Sequence, residues 1–152
     1  MAGKTYISVA IALTCLAVRA EPVTNQLLSL TGPWAYTTNN LDGSDWSVPT
    51  NADQGWAGPS NALFFIASAA LPAAKTTPLP ASSSGRPLNC YFFRTTFDVP
   101  TTNELVALLV NHLVDDGAVF YLNGSEVQRV RMAAGPVGYA TSAADTPPDG
   151  DA

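Results

Sequence analysis

Hydrophobic and polar positions in this chain alternate in short runs, and turn-forming residues separate the runs. Residues 34–38 are aromatic and β-branched and follow Gly32 and Pro33. Residues 39–45 are dense in Asn, Asp, Gly and Ser, the residues that close turns. Residues 45–48 and 54–56 are short strand-like pieces divided by Pro49 and Asn51, and 62–67 is a continuous apolar run of strand length. Residues 72–89 hold four prolines, three consecutive serines and Gly85, which predicts a long loop.

The clearest period of two runs over 90–99. Tyr91, Phe93, Thr95, Phe97 and Val99 fall on one side and are predicted to face inward; Cys90, Phe92, Arg94, Thr96 and Asp98 fall on the other. Pro100 ends that strand. Residues 105–114 are apolar on both faces, as a strand within a sandwich is, and His112 lies among them. Next, Asn123 and Gly124 stand between two alternating runs, the preferred two-residue hairpin turn because both positions need positive φ. The turn pairs Leu122 with Ser125, Tyr121 with Glu126 and Phe120 with Val127. Residues 138–141 are a further strand candidate. No segment keeps a helical period, so the pattern predicts an all-β sandwich.

Composition agrees. The 152 residues are 47% hydrophobic and only 12% charged, which excludes a disordered chain, and 12 Pro and 11 Gly argue against long helices. The net charge of −5 offers no basic face for nucleic acid. The two ends depart from the pattern. Residues 1–20 combine Lys4, an apolar run over 7–18 and Ala20 before a cut ahead of Glu21, the form of a secretory signal peptide. That run is shorter than the roughly 20 residues of a membrane span, and Thr14 before Cys15 suits a lipid anchor poorly. Export would therefore deliver the protein to the periplasm or outside the cell, with no membrane span left after cleavage. Removing Lys4 and Arg19 from the seven basic residues leaves five against twelve acidic ones, a net charge of −7. It also leaves Cys90 as the only cysteine, with no internal disulfide open to it. A small buried side chain is its first reading. The folded domain is expected over 21–143. Residues 144–152 carry two adjacent prolines and no large apolar group and are expected to be a disordered tail.

Catalytic patterns are scarce. His112 is the single imidazole, there is no zinc-ligand spacing, and neither a phosphate-binding glycine loop nor a nucleophile elbow occurs. Asp42, Asp45 and Asp53 lie in turn-rich stretches, and Asp115 and Asp116 lead into the hairpin. Such residues first read as turn makers that bond nearby backbone N–H groups. Asp42, Asp45, Asp115 and Asp116 are also the candidate oxygen ligands for a structural calcium, although their spacing is not that of the twelve-residue calcium loop. Trp34, Trp46 and Trp56 first read as core filling. Trp46 and Trp56 are the candidates for stacking on a sugar ring. Asn123, Gly124 and Ser125 match a glycosylation sequon that the hairpin turn already accounts for.

Residues 91–97, 115–124, 126–129 and 132–135, with Trp34, Tyr36, Trp46, Trp56 and Gly58 upstream, resemble the galactose-binding-like jelly-roll modules of secreted bacterial proteins. Such modules accompany extracellular metallophosphatases and glycoside hydrolases. The likeness covers roughly residues 30–143 and is most specific over 115–124. It implies a jelly-roll sandwich of about eight or nine strands with a binding or packing role and no catalysis. Many of these modules bind carbohydrate, often with a structural calcium, and others brace a neighbouring catalytic domain without a ligand, so the resemblance implies a secreted carbohydrate- or surface-binding module, or else a ligand-free brace or fragment detached from an extracellular hydrolase. No ligand-contact residue is shared regularly enough to carry over. Family members continue past the position of Tyr139 with further strands, whereas this sequence turns to proline and aspartate. The comparison implies a fragment lacking one or two closing strands. An open edge of that kind predicts marginal stability or self-association of the isolated chain.

Overall fold

The structure is a computed structural model that describes residues 24–29, 31–50, 55–61, 64–66, 75–99 and 107–145. The expected signal segment, Asp53 and most of the tail lie outside the described residues. The described residues form an all-β arrangement with no helix, in order β1 (Trp34–Thr37), β2 (Ala57–Ser60), β3 (Phe64–Phe65), β4 (Thr77–Pro78), β5 (Phe92–Arg94), β6 (Ala118–Leu122) and β7 (Ser125–Val130). They make three small sheets: β2-β1-β5, the parallel pair β3-β4, and the hairpin β6-β7.

The first sheet positions everything that follows. β1 runs antiparallel to β5, with Ala35 opposite Arg94, Tyr36 opposite Phe93 and Thr37 opposite Phe92. Opposed residues share a face, so alternation splits the sheet into two layers of contact. On one face Tyr36 and Phe93 meet Phe64, with ring centroids 5.6 Å and 4.5 Å from it. The other carries Thr37 and Phe92, the two most buried side chains described, at 5% and 8% exposure. Trp46 covers Phe92 edge-on at 4.9 Å and also meets Tyr121 of β6 at 5.4 Å. That indole joins the hairpin to the sheet.

This corrects the expected facing of residues 90–99. Phe92 was predicted outward, yet it is the best-covered apolar group, because Trp46 supplies a lid on that face while Phe64 covers Phe93 on the other. Both faces of β5 are therefore packed.

The hairpin turn forms as predicted, with φ of 51° at Asn123 and 86° at Gly124. Its register departs two residues further on. Leu122 faces Ser125 and Tyr121 faces Glu126, but Phe120 pairs with Gln128. Val127 is an inserted residue and is 54% exposed, so the expected Phe120–Val127 pair does not form. A bulge of this kind re-aims the strand. Beyond it the Arg129 guanidinium reaches the Glu126 carboxylate and the carbonyls of Ala133 and Gly135. Arg129 holds the Glu126 carboxyl below the usual range, and Glu126 raises Arg129 in turn. Arg131, at φ 48°, donates to the carbonyls of Val114 and Asp116 and ties the segment before β6 to the end of β7.

Other expectations change as well. Residues 45–48 and 138–141 are turns rather than strands, closed by Val48 N–H to the Asp45 carbonyl and Thr141 N–H to the Gly138 carbonyl. Residues 107–114 form no strand, and Leu109 there is 76% exposed. A strand apolar on both faces needs cover on both sides, and no neighbouring strand among the described residues supplies it. His112 is accordingly exposed, tilted against Phe120 at 5.4 Å. The proline-rich loop does hold structure: Phe64 and Phe65 pair with Thr77 and Pro78, and Tyr91 Oη donates to the Pro80 carbonyl while accepting from Leu88 N–H. Among the described residues no helix is long and apolar enough to cross a membrane.

Candidate functional site

A cleft of about 340 Å³ opens where β1 begins, β2 runs and β5 ends. Its apolar walls include Trp34, Trp56 and Pro59; among the described residues its polar side chains are Arg94, Thr95 and Thr96. Strand geometry explains the meeting. Trp34 pairs with Ser60 and Tyr36 with Ala57, which lays β2 along β1, and Arg94 stands opposite Ala35 on the far side. Gly58 allows the close approach. At φ 140°, a Cβ there would lie 2.6 Å from the Trp34 carbonyl oxygen. Thr95 Oγ1 donates to the Pro33 carbonyl at 2.7 Å and fixes the rim. The Arg94 guanidinium lies 5.0 Å from the centroid of the Trp56 ring, within cation–π range. In the wall, the Trp34 indole N–H is buried and finds no acceptor among the described residues.

The two candidate tryptophans part company. Trp46 is half-buried between Phe92 and Tyr121 and serves packing. Trp56 lines the cleft. Sequence reasoning missed Arg94, Thr96 and Gly58 as site residues. The available signal was an arginine inside an otherwise aromatic strand.

The four candidate calcium ligands, Asp42, Asp45, Asp115 and Asp116, lie in two turn-rich stretches. Asp42 Oδ1 accepts the Tyr139 N–H at 2.7 Å, across 97 residues of chain, and both its oxygens face Gly138. Asp45 gives its carbonyl to Val48. Asp115 Oδ1 accepts the N–H of Asp116, which sits at φ 61°. Among the described residues no three His, Cys, Asp or Glu side chains gather closely enough to hold a metal ion. Cys90 is free and half-buried. Burial, and then the negative charge of Asp42, push its thiol upward against an opposing backbone hydrogen bond at Tyr91.

No protein-family model, curated protein or solved structure matches this chain.

Proposed function

We propose that the chain is a secreted, non-catalytic carbohydrate-binding module, built as a β-sandwich of the galactose-binding-like jelly-roll type. The observation that carries the reading is the cleft at Trp56, where apolar walls converge with one guanidinium and two threonine hydroxyls. Binding sites combine these features: an apolar surface for contact area and a few fixed polar groups for orientation. The volume falls at the small end of the roughly 300–1,000 Å³ usual for ligand sites, enough for a sugar unit rather than a long chain. The signal-like first twenty residues support export, and a glycan is the ligand class an exported module of this kind would meet.

The test is a polysaccharide pull-down and glycan array with the purified protein, run with calcium and with a chelator. Binding that falls on Trp56→Ala and survives Trp46→Phe is the expected result. Failure to bind any glycan in either condition, or turnover of phosphatase or glycosidase substrates well above a mock preparation, would sink the reading.

One observation favours a second reading, a ligand-free brace for a neighbouring catalytic domain. Leu108, Leu109, Val110 and Leu113 expose a run of apolar surface beside the hairpin. If this run packs on a hydrolase encoded next to the gene, Leu109→Asp will weaken co-purification with that hydrolase and leave glycan binding unchanged.

A further inference from the structure

The Asn123–Gly124 corner carries a chemistry that its role as a turn leaves unused. Asparagine is among the thermally labile side chains. Its carboxamide carbon lies one five-membered ring away from the nitrogen of the next peptide. What ordinarily hinders that closure is the side chain of the next residue, and glycine has none. Of the nine asparagines in the chain, Asn123 is the only one followed by glycine. The fold leaves the corner open. Asn123 is exposed at the hairpin tip, and so are Leu122 before it and Ser125 beyond. Among the described residues neither the Asn123 carboxamide nor the Gly124 N–H makes a hydrogen bond, so no bond has to break before the two groups meet. The same corner is where an altered backbone is felt most. Asn123 and Gly124 are the two central residues of the turn, and the pairs Leu122–Ser125 and Tyr121–Glu126 take their register from it. Tyr121 meets Trp46 at 5.4 Å, the joint between hairpin and sheet. Gly124 lies against the 45–48 turn, where a Cβ would stand 3.4 Å from Val48 Cγ2.

We infer that Asn123 is a self-modification site, at which the chain converts its own carboxamide to an acid and loosens the β6–β7 hairpin. The Gly124 nitrogen gives up its proton and attacks Asn123 Cγ. The new N–Cγ bond closes a succinimide as the Cγ–Nδ2 bond breaks, and Nδ2 leaves as ammonia with that proton. Water then opens the ring. Attack at Cγ breaks the N–Cγ bond and gives aspartate; attack at the main-chain carbonyl breaks the original peptide bond and gives isoaspartate, whose main chain runs through Cβ and Cγ. In sum one amide is hydrolysed by one water, with no change of oxidation state. Aspartate fits the corner, since Asp-Gly is also a favoured pair for this turn. Isoaspartate lengthens the main chain of a two-residue turn by one carbon, and turn length is what fixes hairpin register. The inference stands apart from the carbohydrate reading, because the Trp56 cleft is built from β1, β2 and β5.

The experiment incubates the full chain in mildly alkaline buffer at physiological temperature. Samples are taken for peptide mass spectrometry, with fragmentation that separates aspartate from isoaspartate, and for urea unfolding. Asn123 is expected to lose its amide several-fold faster than Asn39, Asn40, Asn61, Asn89 or Asn111, with isoaspartate among its products. The aged protein is expected to unfold at a lower urea midpoint than the fresh one. Asn123→Gly removes the carboxamide and accepts the positive φ of that position, so it is expected to keep both its mass over 118–130 and its midpoint through the same incubation. Should that variant fail to fold, the site-by-site comparison and the comparison of fresh with aged unmodified protein still decide the matter. An Asn123 amide lost no faster than the others would overturn the assignment of the site. Conversion at Asn123 with an unchanged midpoint, or an equal fall in a folded Asn123→Gly protein, would overturn the loosening of the hairpin.

Discussion

Removing the Trp46 side chain is the most direct test of how this fold is held together. The indole stands edge-on to Phe92 at 69° and to Tyr121 at 79°, the mutual orientation aromatic quadrupoles favour. Each such pair contributes about 0.5–1.5 kcal/mol beyond the area it buries. Truncating a buried tryptophan to alanine costs about 3–5 kcal/mol; Trp46 is half-buried, which places Trp46→Ala at about 2–4 kcal/mol. Small domains have only about 5–15 kcal/mol in total, so the loss is a large share. Urea unfolding followed by circular dichroism reads it as a lower midpoint with an unchanged slope. Trp46→Phe should recover about half. Double-mutant cycles with Phe92→Leu and with Tyr121→Leu should each return a coupling of about 0.5–1.5 kcal/mol. A Trp46→Ala protein whose stability moved by under about 0.5 kcal/mol while glycan binding vanished would refute the reasoning, because the indole would then be a ligand platform rather than the joint between hairpin and sheet.

Gly58→Ala should cost roughly 1–3 kcal/mol for the backbone conformation alone, before the collision with the Trp34 carbonyl is counted, and should abolish ligand binding at the cleft; an unchanged thermal midpoint would contradict the close β1–β2 approach. Tyr91→Phe leaves Leu88 N–H and the Pro80 carbonyl without their partner and should lower stability by about 1–2 kcal/mol in the same urea assay. Cys90 should react with iodoacetamide far more slowly in the folded protein than in urea, and Asp42→Asn should speed the folded reaction by removing the negative charge that helps hold the thiol protonated. Since the folded thiol ionises later than the unfolded one, its contribution to stability is present at neutral pH and is lost as the pH climbs through the folded thiol's range; Cys90→Ala should flatten that alkaline decline.

What was legible in the sequence was local. The Asn123–Gly124 corner was readable because a two-residue turn with positive φ twice over leaves few residue choices. The β1 segment was readable from its aromatic and β-branched run. The bulge at Val127 was not, since alternation alone cannot show where a strand takes in an extra residue. β2 and β4 each contain a proline, which ordinarily argues against a strand, and both form next to a partner that tolerates it. The run over 107–114 erred in the other direction: its residues suit a buried strand, but a strand exists only where another segment offers its N–H and C=O groups, and that is a property of the whole chain.

The candidate site failed to read out for a related reason. In the sequence Trp46 and Trp56 are equivalent candidates set about a turn-rich stretch apart, and nothing local ranks one above the other. Their roles diverge only when β1 and β5 pair. That pairing sets Phe92 and Arg94 on one face, two residues apart. Phe92 draws Trp46 inward as its cover, and Arg94 takes up Trp56 at the edge. One alternation of a single short strand thus assigns one tryptophan to packing and another to the cleft. It follows that moving the positive charge by one residue, as in an Arg94→Thr, Thr95→Arg exchange, would place it on the opposite face beside Phe93 and leave the Trp56 ring uncovered. Sugar binding at the Trp56 cleft should rise in that variant as the indole face is freed, and unchanged binding would show that the face of β5 has no part in shaping the site.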